Sequence, residues 1–154
     1  MDSKQIFEAK FQNADVLKAT GVSLGTLQTW LNRGLIKPSS DLTPGTGQRR
    51  MYSAADVLRV ALMAELVGFG LKPSAAAFVL DIVERESGVR TSPNNARPKW
   101  MFISRNGVGR VVSYSMKDKI EDVWPAWNSQ VTGSCLVVPV GAIEATVFGS
   151  LEAR

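Results

Sequence analysis

The sequence predicts an α+β protein in two parts, a helical N-terminal domain carrying a β-hairpin and a small mixed strand/helix module after it. Three observations lead there. Two short amphipathic segments meet at Gly21. A turn-rich stretch ending in arginines follows them. Beyond residues 87–98, which are polar and hold two prolines, the apolar pattern changes from helical to strand-like. Residues 1–86 therefore read as one domain with an extension at 1–12, residues 87–98 as a linker, and residues 99–154 as the second module.

The extension is the least punctuated part. Ile6, Phe7 and Phe11 suit one face of a short helix or a strand docked on the domain. Asn13 is a capping residue for a helix over Ala14–Thr20, with Val16 and Leu17 inward. Gly21 supplies the left-handed residue that a tight corner between helices requires. Ser23 caps the next helix, Leu24–Asn32, whose inward stripe is Leu24, Leu27, Trp30 and Leu31. Gly25, Gln28, Thr29, Asn32 and Arg33 remain on the outward side. Gly34 ends that helix. Leu35–Pro38 and Arg49–Tyr52 read as extended pieces around the turn-rich residues 39–48, which predicts a hairpin with a long tip.

Ser53 and Asp56 have capping-box spacing and open a helix to about Val67, apolar at Val57, Leu58, Ala61, Leu62 and Leu66. After Gly68-Phe69-Gly70, Pro73 fits the first turn of a helix to Glu86 that buries Phe78, Val79, Ile82 and Val83. In the second module, Trp100–Ser104 and Val111–Tyr114 flank Asn106-Gly107 as a hairpin. Ser115–Trp124 reads as a short helix, Leu136–Val140 as a strand, and Ala142–Glu152 as a final helix carrying Ile143, Val147 and Leu151.

Several chemistries lack their reagents. The 154 residues contain no histidine and a single cysteine, Cys135. That excludes an intramolecular disulfide, leaves zinc and haem almost without ligands, and removes Ser-His-Asp and Cys-His catalysis. Neither nucleophile-base pairs nor phosphate-binding glycine motifs occur, so the chain is expected to be no enzyme and to need no cofactor or metal. Cys135 reads as a small buried hydrophobe. Trp100, Trp124 and Trp127 suit a compact core or a protein interface better than a ligand pocket. The first twelve residues lack a signal-peptide core, and no run of about 18 apolar residues is present. The expected address is the cytoplasm, without membrane contact.

Charge points to a polyanion. The formal net charge is +4. Between Lys18 and Arg59 lie six cations, Lys18, Arg33, Lys37, Arg49, Arg50 and Arg59, against Asp41 and Asp56, and the rest of the chain is balanced. Two helices joined at a tight corner, with a basic hairpin after them, form a winged helix-turn-helix. The duplex major groove accommodates one α-helix. A helix entering it needs an apolar back and a small polar front, and Leu24–Arg33 has both. Gln28 and Asn32 can bond adenine edges bidentately, and Arg33 can reach guanine or phosphate. The hairpin then sets cations along the adjacent backbone.

The same stretch resembles the MerR family. The matching residues are Gly21-Val22-Ser23, Thr26-Leu27, Trp30, Gly34-Leu35-Ile36-Lys37-Pro38, Arg50-Met51-Tyr52-Ser53, Asp56-Val57 and Gly68-Phe69-Gly70-Leu71, covering about residues 14–86. The resemblance implies that the second helix enters the major groove and that Arg50 and Tyr52 of the wing touch the DNA backbone. Gln28 stands where the family usually has arginine. The wing tip is long and holds Asp41. The long dimerisation helix that usually follows the fourth helix has no counterpart in Ser87–Pro98.

The function expected is that of a sequence-specific regulator of transcription bound to double-stranded DNA. Phosphate contacts are expected from Lys18, Lys37, Arg49, Arg50 and Tyr52. Base reading is expected from Thr26, Gln28, Thr29 and Asn32, with Ser23 and Arg33 serving either purpose and Gly25 allowing close backbone approach. The rival reading is a DNA-architectural protein similar to phage excisionases or small terminase subunits. Residues 99–154 are the expected surface for self-association or for RNA polymerase.

Overall fold

The computed structural model describes residues 3–40, 50–86, 100–105, 111–117, 119 and 135–153. By contacts the chain forms two compact units, Met1–Ala77 together with Ile143–Arg154, and Phe78–Ala142.

The first unit begins with the short helix α1, Ser3–Ile6, which rests on the later helix α4 (Ala54–Gly68). The extension then runs to Phe11, which makes an isolated antiparallel bridge with Tyr52. Tyr52 N–H donates to Phe11 C=O at 2.8 Å, and the Lys10 and Phe11 N–H groups donate to Tyr52 C=O at 3.0 Å. The extension is thus a short helix followed by a single bridging residue, and Phe7, expected on the same face as Ile6 and Phe11, is 40% exposed. Ile6 and Phe11 are buried and anchor it.

Helix α2, Asn13–Thr20, starts one residue earlier than its sequence suggests. Its cap position is Gln12, whose N–H donates to the Asp15 carboxylate at 2.7 Å. An acid in the first turn also suits the positive end of the helix dipole. The side chain of Asn13 is therefore not the cap; it accepts a hydrogen bond from Tyr52 instead. Gly21 closes α2 with φ 69°, its N–H bonded to Leu17 C=O at 2.9 Å. A Cβ there would meet nothing within 4 Å, so the left-handed backbone, not crowding, calls for glycine.

Helix α3, Leu24–Asn32, is capped by Ser23, whose Oγ accepts from Thr26 N–H at 3.1 Å. Leu27 and Trp30 are its buried residues. Leu31 is half-buried. Leu24, expected in the core, is 45% exposed. It is the first helical residue, and a helical Cβ tilts toward the N-terminus, so its side chain leans off the end of the packed stripe.

The wing follows. Ile36 and Pro38 are buried while Lys37 and Ser39 are exposed, the alternation of an extended chain. Ser40 bridges Met51. The tip, 41–49, lies outside the described residues, and the expected long-tipped hairpin is seen only at its base. Helix α4 opens with the Ser53–Asp56 capping box and is buried on most sides, as the central helix of its unit. Helix α2 packs on it. Leu71 N–H bonds Leu66 C=O, and helix α5, Pro73–Glu86, runs on from there.

In α5 the buried residues are Ala76, Ala77, Val79, Leu80 and Val83. Phe78 is 62% exposed, against expectation, and Ile82 is half-buried. The small alanines permit close approach on one side. Phe78 falls on the other, with the exposed Asp81 and Arg85.

The second unit is built on a three-stranded antiparallel sheet in the order β2-β1-β3. Strand β1 is Trp100–Arg105, β2 is Val111–Lys117 and β3 is Cys135–Val138. The tip of the expected hairpin, Asn106-Gly107, lies outside the described residues, as do Trp124 and Trp127. Ser115–Lys117, expected to begin a helix, continue β2 and pair with Phe102, Met101 and Trp100. Ladder bonds to a ready neighbour outweigh weak local helix preference in so short a run. Met101, Phe102, Ile103 and Ser104 are all buried, as suits a central strand. Strand β3 ends at Val138, and Val140 begins the last helix, α6, Val140–Glu152.

Val147 and Leu151 of α6 are buried. By contacts its residues from Ile143 onward group with the N-terminal unit, whereas the sequence reads 99–154 as one module. An amphipathic stripe reports that a helix buries a face, not which surface receives it. No helix among the described residues is long and apolar enough to cross a membrane.

Candidate nucleic-acid interface

The outward side of α3 is its polar side. Gly25, Gln28, Thr29 and Asn32 stand at i, i+3, i+4 and i+7 and are all exposed. That spacing places them in one row about 10 Å long. Buried Leu27 and Trp30 hold the opposite side of the helix. Burial of these two side chains supplies the rigid seat, about 1.5–3 kcal/mol each.

The hydroxyls of this region are partly committed. Ser23 Oγ caps the helix and lies 2.9 Å from Thr26 Oγ1. Thr29 Oγ1 donates to Gly25 C=O at 2.8 Å. Each hydroxyl keeps acceptor capacity, but its direction is set by the helix. Gln28, Asn32 and Arg33 differ. All three are exposed, and none of their side chains is hydrogen-bonded to another described residue. Their donors and acceptors are available to a partner without breaking an internal bond.

The cations expected on phosphates are placed unevenly. Lys18, Lys37 and Arg50 are exposed, on α2 and on the two sides of the wing base. Lys18 also sits in the last turn of α2, where a cation complements the helix dipole. Arg49 lies outside the described residues.

Tyr52 does not take the role its resemblance implies. It is 0% exposed, and its hydroxyl donates to Asn13 Oδ1 at 2.9 Å. Its backbone bridges Phe11 and its hydroxyl ties the end of the wing to the start of α2, so in the free protein the ring belongs to the core.

A second tie was only half legible. The Asp56 carboxylate, 4% exposed, accepts Ser53 N–H at 2.8 Å, as the capping box requires, and also Ser39 N–H at 2.9 Å. Ser39 Oγ donates to Ser53 Oγ at 3.1 Å. One buried acid thus pins the outgoing chain of the wing to the N-terminus of α4. The local spacing shows the first bond; the second joins residues 17 apart and leaves no pattern in sequence. Among the described residues, no group of three or more His, Cys, Asp or Glu side chains could hold a metal ion.

Residues 13–81 match the MerR HTH family regulatory protein, a little under half of the chain. No curated protein matches it. Regulators of this family bind DNA through the winged helix-turn-helix and are not catalysts. The matched span takes in the Gly21 corner, α3, the wing base and α4 as described above, and residues 13–81 of this chain are a MerR-type winged helix-turn-helix domain.

Proposed function

We propose that this chain is a sequence-specific regulator of transcription that binds double-stranded DNA, with α3 in the major groove and the wing on the phosphate backbone. The supporting observation is the outward row of α3, in which Gln28 and Asn32 are exposed and their side chains are not hydrogen-bonded to another described residue. These two amides read adenine edges, and Thr26, Thr29 and Ser23 add hydroxyl contacts. Arg33 reaches guanine or phosphate. Lys18, Lys37, Arg49 and Arg50 neutralise phosphates and set register. Residues 1–12 belong to the DNA-binding unit, because Phe11 is bonded to the end of the wing at Tyr52.

The test is selection of bound duplexes from a random pool, followed by titration of the enriched site against salt. The expected result is one enriched motif and an affinity that falls steeply with salt, in proportion to the phosphates neutralised. Retention of all sequences alike, or an affinity indifferent to salt, overturns the reading.

A further inference from the structure

Leu24 is the only large apolar side chain exposed among residues 13–34, all of which are described. It occupies the first position of α3, directly after the Ser23 cap, and precedes Gln28 by four residues. Side chains at that spacing are neighbours on a helix surface. Recognition helices of this architecture reach base edges with their N-terminal residues. The side chain therefore stands at the leading end of the reading row, beside an amide able to bond adenine. It has no hydrogen-bonding atom. The apolar feature that base pairs display in the major groove is the C5-methyl group of thymine.

We propose that Leu24 is a specificity residue that packs against a thymine methyl next to the base bonded by Gln28. The inference rests on the reading of α3 as the groove-entering helix. Exposure in the free protein is what such a role requires. A leucine buried under the helix would be a core residue and would carry no information about sequence. Gly25 beside it adds no side chain between the helix and the groove edge, and a Cβ built there meets nothing within 4 Å.

The experiment uses the full chain and the duplex it selects. Each thymine of that site is replaced singly by uracil, which removes the methyl and keeps every hydrogen-bonding group. Affinities are measured for the wild-type chain, Leu24→Ala and Leu24→Val. The expected result is one position where methyl removal weakens wild-type binding about four-fold, the equivalent of one buried methyl. Leu24→Ala should be indifferent at that position, and Leu24→Val should keep part of the effect. Because the side chain is 45% exposed and lies outside the buried core, both variants are expected to fold, and the melting temperature of each is measured alongside its affinity. A wild-type chain indifferent to every uracil, or a Leu24→Ala variant as sensitive as wild type, overturns the inference and leaves DNA binding standing. A chain that enriches no duplex overturns the reading beneath it as well.

Discussion

Tyr52 and Asn13, 39 residues apart, are joined by a 2.9 Å hydrogen bond from the phenol to the side-chain carbonyl. One ends the wing and the other begins α2. Removing the phenol oxygen in Tyr52→Phe should lower stability by about 1 kcal/mol, the net worth of a typical hydrogen bond. DNA affinity, measured well below the melting transition, should not change. A large loss of affinity without a loss of stability would return the hydroxyl to the interface.

Asp56 binds two backbone N–H groups, one from its own cap and one from the wing. Asp56→Ala deletes both bonds and leaves two donors unsatisfied. The cost should be about 2–4 kcal/mol in chemical denaturation. Amide exchange at Ser39 should accelerate in the variant more than exchange in the middle of α4. Equal protection at both places would show that the wing is held by something else.

The polar row of α3 should separate from the wing by the kind of defect each produces. Gln28→Ala or Asn32→Ala should relax the base preference at single positions by about 1–3 kcal/mol. Arg50→Ala should weaken binding to every sequence and lower the salt slope by about one. Binding curves on matched and scrambled duplexes over a salt series distinguish the two. A uniform loss from Gln28→Ala would make that residue a backbone contact.

Gly25 offers a cleaner separation of stability from binding. With open space around a Cβ and no left-handed backbone, Gly25→Ala should stabilise the free protein by up to about 1 kcal/mol. The same methyl would stand between α3 and the groove, so DNA affinity should fall. A rise in melting temperature with unchanged affinity would show that the backbone does not approach DNA at this point.

Cys135 is half-buried in β3, and burial pushes its thiol from 9.0 up to about 11, a backbone hydrogen bond at Ile103 pulling weakly the other way. The folded protein thus holds this proton more tightly than the unfolded chain does. Its contribution to stability is complete below about pH 9 and is lost as pH rises toward 11. Alkylation of the native protein at pH 8 should be slow compared with a free thiol, and should approach the free rate on unfolding. Fast native-state alkylation would contradict the placement.

Much of the N-terminal domain was legible because its signals are local. The Ser23 and Ser53 caps, the glycine at the corner and the buried pair Leu27 and Trp30 each follow from residues within one or two turns of each other. Leu24 and Phe78 are exposed where the apolar periodicity predicts burial, for a common reason. Periodicity locates an apolar stripe but not its ends, nor the side on which alanines let a neighbour come close. In the second unit, Ser115–Lys117 took their form from pairing with β1, an influence absent from their own composition.

By itself the sequence determined the order of the N-terminal helices, the Ser23 and Ser53 caps, the polar face of α3 and the concentration of positive charge between Lys18 and Arg59. Those depend on contacts a few residues long, which the chain writes out in order. Only tertiary structure decided that Tyr52 turns inward to Asn13, that Asp56 also holds Ser39, and that Leu24 stands outside the core. Each of these was set by a partner, or by the lack of one, across a fold that spacing along the chain does not encode.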